Sequence, residues 1–336
     1  MRRTLLAAAV LGACAPAPQR QVRAAPPAPP ERTAPASAAP EPAPAPVAAP
    51  KPAALPVYDG VSFRQVLDVP IHYVAFAPSG KVAAVGEDVW VGDGASLKKL
   101  PAPGPALADV RVYFGRDDQP RLMGAEGGAP VYRRFRGGRW QSGATEIGRL
   151  GSGKSAPLFG VLGNDDPEVV CKVGDGCIVK RRSGWQTITP PEGRPSVSLE
   201  HGTTWALAPA TLLRLESEGF RAFGGTLPFS HATAISATSE RDVWVAEPDA
   251  LYRFDGKSWA RLDAPVDGIA GVWAAAEKDV WVVGQGGAVH YDGATWSRVK
   301  EPSGALRLAT GPSAADVWLA GKAGLFHAVT AADQQD

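Results

Sequence analysis

The chain has 336 residues, with 35 Lys and Arg against 34 Asp and Glu, and the resulting formal net charge of +1 gives no electrostatic reason to expect nucleic acid or another polyanion as partner. The counts of Gly (38), Pro (32) and Trp (10) beside Met (2) disfavour long helices and favour many short strands joined by tight turns.

Residues 1–13, "MRRTLLAAAVLGA", set two arginines before an apolar run and small residues, the layout of a secretory signal peptide. The run is too short to span a bilayer, and no later segment reaches that length. Leu11-Gly12-Ala13-Cys14 resembles the lipobox of bacterial lipoproteins, which implies acylation of the Cys14 thiol and Cys14 as the mature N-terminus; ordinary signal cleavage near "ACAPA" is the competing reading. Residues 14–56 are the Cys and an Ala/Pro-rich stretch that cannot bury a core, expected as a disordered tether of about 130 Å in a polyproline-like conformation.

From residue 57 the chain repeats itself. It opens with "VYDGVSFRQV", then "KVAAVGEDVWVGDGASL" ending at Leu97, "LMGAEGGAPVYRRFRGGRW" ending at Trp140, "EVVCKVGDGCIVKRRSGW" ending at Trp185, and a unit from Trp205 to Phe220. The frame is clearest downstream, in "RDVWVAEPDALYRFDGKSWARL" from Arg241, "KDVWVVGQGGAVHYDGATWSRV" from Lys278 and "ADVWLAGKAGLFHAV" from Ala315, where Trp244, Trp281 and Trp318 fall 37 residues apart. Four strands in such a unit make a propeller blade, so residues 57–330 are expected to form one all-β propeller of about seven four-stranded blades, with six or eight left open by the irregular stretch 101–200. Residues 331–336 are expected to be a disordered tail.

The ends of the repeat explain each other. After His327, equivalent to His290, the last unit lacks its outer strand, and Tyr58, Asp59, Gly60 and Phe63 match Tyr291, Asp292, Gly293 and Trp296. Residues 57–66 are therefore expected to pair with the strand around Gly324–Ala328, closing the ring and removing two open edges.

Residues 148–155, "GRLGSGKS", fit G-x-x-x-x-G-K-[ST], but no nucleotide is expected there. A phosphate-cradling loop needs a helix after it, and Pro157, Gly160, Gly163 and Pro167 break any helix that would follow. Trp244, Trp281 and Trp318 are expected to fill the space between blades, and Trp259 and Trp296 to widen the rim. Asp242, Asp279 and Asp316 precede strands, whereas Asp59, Asp93, Asp255 and Asp292 lead Gly in turns, both places where Asp bonds nearby backbone. "YDGATW" resembles the Asp-box of sialidase-like propellers but is one residue shorter, and no arginine cluster of that type can be assembled from the sequence. His290 and His327 read as strand-surface residues, and no metal or cofactor is expected. Cys171 and Cys177 flank "KVGDG", whose tight turn sets them opposite each other as a disulfide; buried free thiols or a metal pair are the alternatives. One polar constellation remains: the repeat frame brings His72, Arg194, Thr233, Ala270 and Arg307 to one depth at the starts of the innermost strands, where two arginines and a histidine around the channel mouth could hold an anion.

With repeats such as "DVWVVGQGGAVHYDGATWSRV", residues 57–330 resemble the Trp-rich propeller-repeat lipoproteins of myxobacteria and related Gram-negative bacteria, and more distantly the tectonin-type propellers. The resemblance implies a non-enzymatic lipoprotein, exported and anchored to the cell envelope, with Ala15 after the lipidated Cys favouring the outer membrane, whose propeller binds another envelope protein. The tectonin resemblance implies an alternative, a lectin-like propeller that binds glycan on a loop face.

Overall fold

The computed structural model describes residues 55–329 apart from 59, 95, 105–106, 116, 127–128, 143–157, 163–166, 173–175, 182–183, 190–195, 201–202 and 264. The leader, Cys14, the tether as far as residue 54, Asp59, the 148–155 motif, Arg194 and the tail 331–336 lie outside the described residues.

Every regular element among the described residues is a β-strand. Two strands come first, β1 (Val57–Tyr58) and β2 (Ser62–Leu67). Antiparallel sheets follow in chain order. The first holds β3 (Tyr73–Phe76), β4 (Val82–Val85), β5 (Val89–Gly92) and β6 (Leu97–Lys99). The second holds β7 (Ala108–Phe114), β8 (Pro120–Glu126), β9 (Ala129–Arg136) and β10 (Arg139–Ser142), and the third β11 (Leu158–Leu162), β12 (Pro167–Lys172), β13 (Gly176–Arg181) and β14 (Gly184–Ile188). Next come β15 (Ser196–Glu200), β16 (Thr203–Ala208), β17 (Thr211–Leu215) and β18 (Phe220–Ala222), then β19 (Ala234–Ser239), β20 (Asp242–Glu247), β21 (Ala250–Phe254) and β22 (Trp259–Asp263). The last two sets are β23 (Ile269–Ala276), β24 (Asp279–Gly284), β25 (Gly287–Tyr291) and β26 (Trp296–Val299), and β27 (Leu306–Ser313), β28 (Asp316–Gly321) and β29 (Gly324–Val329). The first strands of these sets touch in the order β3, β7, β11, β15, β19, β23, β27 and back to β3, so the sheets stand around a central axis as a β-propeller.

The strand pattern follows from position in the blade. The second strands are covered on both faces: β4 is VAAV, and β20 is DVWVAE, an apolar run between two carboxylates, every residue buried. Outer strands such as β10 (RWQS) and β22 (WARLD) have one wet face and carry the charges. The core is accordingly a ring of clusters between neighbouring sheets. Trp205 packs with Val243 and Val245, Trp244 with Val280 and Val282, Trp281 with Val317 and Leu319, and Trp318 with Val82 and Ala84. These four tryptophans, Trp205 included, are among the largest fully buried side chains, and each removes on the order of 200 Å² from water, roughly 5 kcal/mol before entropy is counted. Trp259 and Trp296 are half-buried at the rim, as expected.

Closure by the first long strand is present. β2 pairs antiparallel with β29, with Ser62 opposite Val329, Phe63 opposite Ala328 and Arg64 opposite His327. Phe63 opposes Ala328 as Trp296 opposes Tyr291, so Phe63 does take the Trp296 position. The expectation fails in two details. Residues 57 and 58 do not continue that pairing: β1 runs parallel to β26, with Val57 opposite Arg298 and Tyr58 opposite Val299. Tyr58 is thus not the counterpart of Tyr291, a place held by Ala328. The expected set of about seven four-stranded blades is corrected with it, because six sheets are four-stranded and the sheet of β23–β26 carries β1 as a fifth strand. The physical reason is the bare edge of β26. Its unpaired donors and acceptors are satisfied by the segment entering β2, beginning with Arg298 N donating to Pro56 O at 2.7 Å.

Across β12 and β13, Cys171 stands directly opposite Cys177, and the Cys177 side chain is fully buried.

Candidate functional site

The expected channel mouth lies where the innermost strands begin, and three of them are entered through the same backbone bond. Ile71 N donates to Gly321 O at 3.0 Å, Ala232 N to Pro209 O at 2.9 Å and Ile269 N to Pro248 O at 2.9 Å, each bond reaching back to the preceding sheet. Ile71, Ala232 and Ile269 are buried. The next residue in each case, His72, Thr233 and Ala270, is exposed, as is Arg307 after buried Leu306. The repeat frame therefore places these four residues equivalently. Ala270 and Arg307 sit at register shifts, between Ile269 and Gly271 and between Leu306 and Leu308, and a bulge re-aims the side chain it carries. β23 and β27 approach closely here: a Cβ on Gly271 would lie 2.7 Å from Arg307 O, so glycine is required at that contact.

His72 and Arg307 belong to neighbouring sheets and feel each other. Burial pushes the His72 imidazole below its usual range, and the Arg307 guanidinium pushes it further down. The pair sets a permanent cation beside an imidazole whose charged form is disfavoured, an arrangement suited to holding an anion or a carbonyl. Arg194, the third expected member, lies outside the described residues. The other two ring positions, Thr233 and Ala270, contribute no charge, and the Thr233 hydroxyl is turned inward to Ala246 O at 3.2 Å.

The repeat's other polar residues are engaged inside the fold. Asp242, Asp279 and Asp316 were expected to bond nearby backbone; instead they accept hydrogen bonds from side chains. Trp244 Nε1 donates to Asp242 Oδ1 at 3.1 Å, Trp281 Nε1 to Asp279 Oδ1 at 2.9 Å, and Trp318 Nε1 to Asp316 Oδ1 at 2.8 Å. A third group completes each set from the next strand: Arg253 Nε at 2.8 Å, His290 Nε2 at 3.1 Å and His327 Nε2 at 2.8 Å from the same oxygens. A carboxylate accepts only, so both histidines carry the proton on Nε2. The His327 ring stacks on Trp318 with centroids 4.1 Å apart, and the Arg253 guanidinium lies 5.1 Å from the Trp244 ring. His290 is buried, not a strand-surface residue, and it carries Tyr58 on its ring at 4.4 Å. Burial, then the charges of Asp279 and Asp292, hold the Tyr58 hydroxyl above its usual pKa. Asp255 and Asp292 do make the expected turns, each accepting two backbone N–H groups through Oδ1, from Lys257 and Ser258 and from Ala294 and Thr295.

The sequence reading missed one buried carboxylate. Glu247 Oε1 accepts Ser230 N and His231 N, both at 2.6 Å, and its Oε2 accepts the Tyr252 hydroxyl at 2.9 Å. Burial works to raise its pKa, but these three donors outweigh burial and hold it below the usual carboxylate range. Its place at the end of β20, three residues after the Trp of the repeat's Asp–Val–Trp, gave no pattern to notice. No cluster of metal-ligating side chains occurs among the described residues.

No family model matches the chain, and no curated protein does. Among solved structures it is similar to a streptogramin B lyase (TM-score 0.61, 14% identity, 80% of this chain and 98% of that one). It is similar also to YCF48 bound to D1 peptide (TM-score 0.62, 15% identity, 82% of this chain and 99% of that one). A third likeness is to the β-propeller domain of Myceliophteria thermophila Cps50 (Swd1) (TM-score 0.55, 11% identity, 80% of this chain and 98% of that one). At such identities the likeness is one of fold alone, and the fold is a β-propeller.

Proposed function

We propose that the chain is an exported lipoprotein, held in the cell envelope through Cys14, with the outer membrane as its address, and that its propeller is a non-enzymatic scaffold for another envelope protein. The observation that carries the binding role is the division of labour among polar side chains. The aspartates, histidines and tryptophans of the repeat hold strands together, while the channel mouth presents His72, Thr233, Ala270 and Arg307 to solvent. Of the structures with this fold, YCF48 is bound to a peptide, which fits the proposal, and streptogramin B lyase is an enzyme, so the fold by itself selects neither class. Cys171 and Cys177 are proposed to be joined as a disulfide, supported by their direct cross-strand register and by an oxidising exported compartment.

The test is crosslinking and pull-down from envelope extracts with the parent chain and with Arg307→Ala, beside a glycan array. A protein captured by the parent and lost with Arg307→Ala supports the proposal. Specific glycan binding without a protein partner replaces it with the lectin reading. Intact mass of the mature protein settles the anchor: an acylated Cys14, and release of Cys14→Ser into the soluble fraction, are the expected results.

A further inference from the structure

Four Asp–Gly steps lie within the described residues, at Asp93, Asp255, Asp267 and Asp292, and all four aspartates are exposed. Such a step is chemically weak, because glycine puts no side chain in the way when its amide nitrogen approaches the Asp Cγ. Three of the four carboxyl groups are held. Asp93 Oδ1 accepts Ser96 N at 3.0 Å. Asp255 Oδ1 accepts Lys257 N and Ser258 N, both at 2.8 Å. Asp292 Oδ1 accepts Ala294 N at 2.8 Å and Thr295 N at 2.7 Å, and its Oδ2 takes the Thr295 hydroxyl at 3.2 Å. These bonds fix each side chain against backbone beyond the glycine and favour the ionised carboxylate, the form that resists attack.

Asp267 differs. It is bound through its main chain, its carbonyl oxygen accepting Gln285 N at 2.9 Å, while its carboxyl group has no hydrogen bond or ion pair among the described residues. The turn it sits in, between β22 and β23, nevertheless requires the glycine: Gly268 has a φ of +55°, and a Cβ there would lie 2.9 Å from Cγ and Cδ of Gln285. The same turn is pressed against the end of β24, where a Cβ on Gly284 would meet Asp267 O at 2.5 Å and Gly268 O at 2.7 Å. Directly after it, Ile269 N donates to Pro248 O in the preceding sheet at 2.9 Å.

We propose that Asp267 is a site of spontaneous isomerisation to isoaspartate, the one of these four Asp–Gly steps that the fold leaves open to it. The Gly268 nitrogen gives up its proton and bonds to Asp267 Cγ, a carboxyl oxygen leaves as water, and a five-membered succinimide closes. Water then opens the ring. Attack at Cγ restores aspartate, whereas attack at the former main-chain carbonyl leaves the chain running through Cβ and Cγ with the α-carboxylate free. One water is lost and one regained, so neither mass nor oxidation state changes. The chain through the turn becomes longer by one methylene, about 1.5 Å, where the close approach to Gly284 leaves no room for it. The added length pushes the turn off Gln285 and loosens the entry to β23, the strand that carries Ala270.

The test is to age the folded full chain in neutral buffer and follow each step by peptide mapping, using an endoprotease that cuts before aspartate but not before isoaspartate. Isoaspartate should accumulate at 267 faster than at 93, 255 and 292 together. In urea the bonded turns are lost, and all four sites should convert at similar rates, since glycine follows each of them. Asp267→Glu keeps the charge on an exposed, unbonded side chain but would need a six-membered ring, and it should abolish the signal at 267. The aged parent should unfold at lower urea than the fresh one, while aged and fresh Asp267→Glu coincide. Comparable conversion at any of the three bonded sites, or conversion at 267 in urea alone, overturns the proposal; isoaspartate at 267 with an unchanged urea midpoint overturns the loosening of the turn.

Discussion

Asp242, Asp279 and Asp316 do the same chemistry at three depths, which turns the repeat into a graded experiment. Their side chains are 5%, 26% and 43% exposed. Replacing each with Ala strands the donors it satisfied. At Asp242 these are Trp244 Nε1, the Thr238 hydroxyl at 2.6 Å and the Arg253 guanidinium, which keeps only a long contact of 3.4 Å to exposed Glu277. An under-paired cation and two buried donors put the cost at about 3–5 kcal/mol. At Asp279 two donors are stranded, Trp281 Nε1 and His290 Nε2, for about 2–3 kcal/mol. At Asp316 the same two roles exist, but water reaches the gap, and about 1–2 kcal/mol is expected. The set also has a natural gap. Thr203 stands where Asp is found in the others, two residues before Trp205, whose Nε1 is buried without a partner, and Arg214 lies opposite Trp205 as Arg253 lies opposite Trp244. Thr203→Asp should therefore stabilise the protein, by about 1 kcal/mol. Urea unfolding followed by Trp fluorescence and by circular dichroism reads all four variants, with coincident transitions required before free energies are compared. Equal losses at the three aspartates, or the greatest loss at Asp316, would refute the burial argument, and a destabilising Thr203→Asp would refute the equivalence of the fourth site.

Removing residues 1–54, which stops short of Leu55 on the Trp244 cluster, should leave stability almost unchanged, whereas removing residues 1–67 bares β29 and the Trp281 edge against which Phe63 packs at 5.9 Å, and should lower stability by several kcal/mol or produce association; light scattering beside the melts decides. Glu247 has a folded pKa below its unfolded value, so its stabilisation is present above the unfolded pKa and disappears as pH falls through the folded one. Urea midpoints from neutral to acidic pH should accordingly fall less steeply for Glu247→Gln than for the parent, and parallel profiles would remove Glu247 from the acid response. Reduction of the chain should cost about 2 kcal/mol if Cys171 and Cys177 are joined, the loop between them being short, and a non-reducing peptide map with both thiols free would end that assignment.

The fold was legible where the repeat is strict. Tryptophans 37 residues apart announced strands of equal depth, and the missing last strand could be matched to "YDGVSFRQV" because closure of a sheet leaves a countable gap. The match was read one step too far. Tyr58 belongs to a second use of the same segment, parallel pairing on β26, and parallel addition at an edge has no sequence period of its own. The β7–β10 sheet was hard to read for a related reason: Arg121 occupies a tryptophan's position, so the strongest marker of the frame is absent there. Burial of His290 and Glu247 depends on what neighbouring sheets bring, and equivalent positions in a repeat do not reveal it. His72 and Arg307 were singled out because these positions keep the repeat's register even where residue type does not.

The pairing of Ser62 with Val329 spans 267 residues, in a molecule whose other antiparallel pairs join strands adjacent in sequence. Nearly all contacts can thus form as independent local hairpins, quickly and in any order, before the ring exists. The closing contact alone must overcome the entropy of a very long loop, about 5 kcal/mol from the logarithmic length dependence, unless the intervening sheets have already stacked and shortened the path. Destabilising β2 should then leave the refolding rate of the bulk of the strands untouched and accelerate opening of the ring, making the seam the kinetic weak point of an otherwise locally encoded chain.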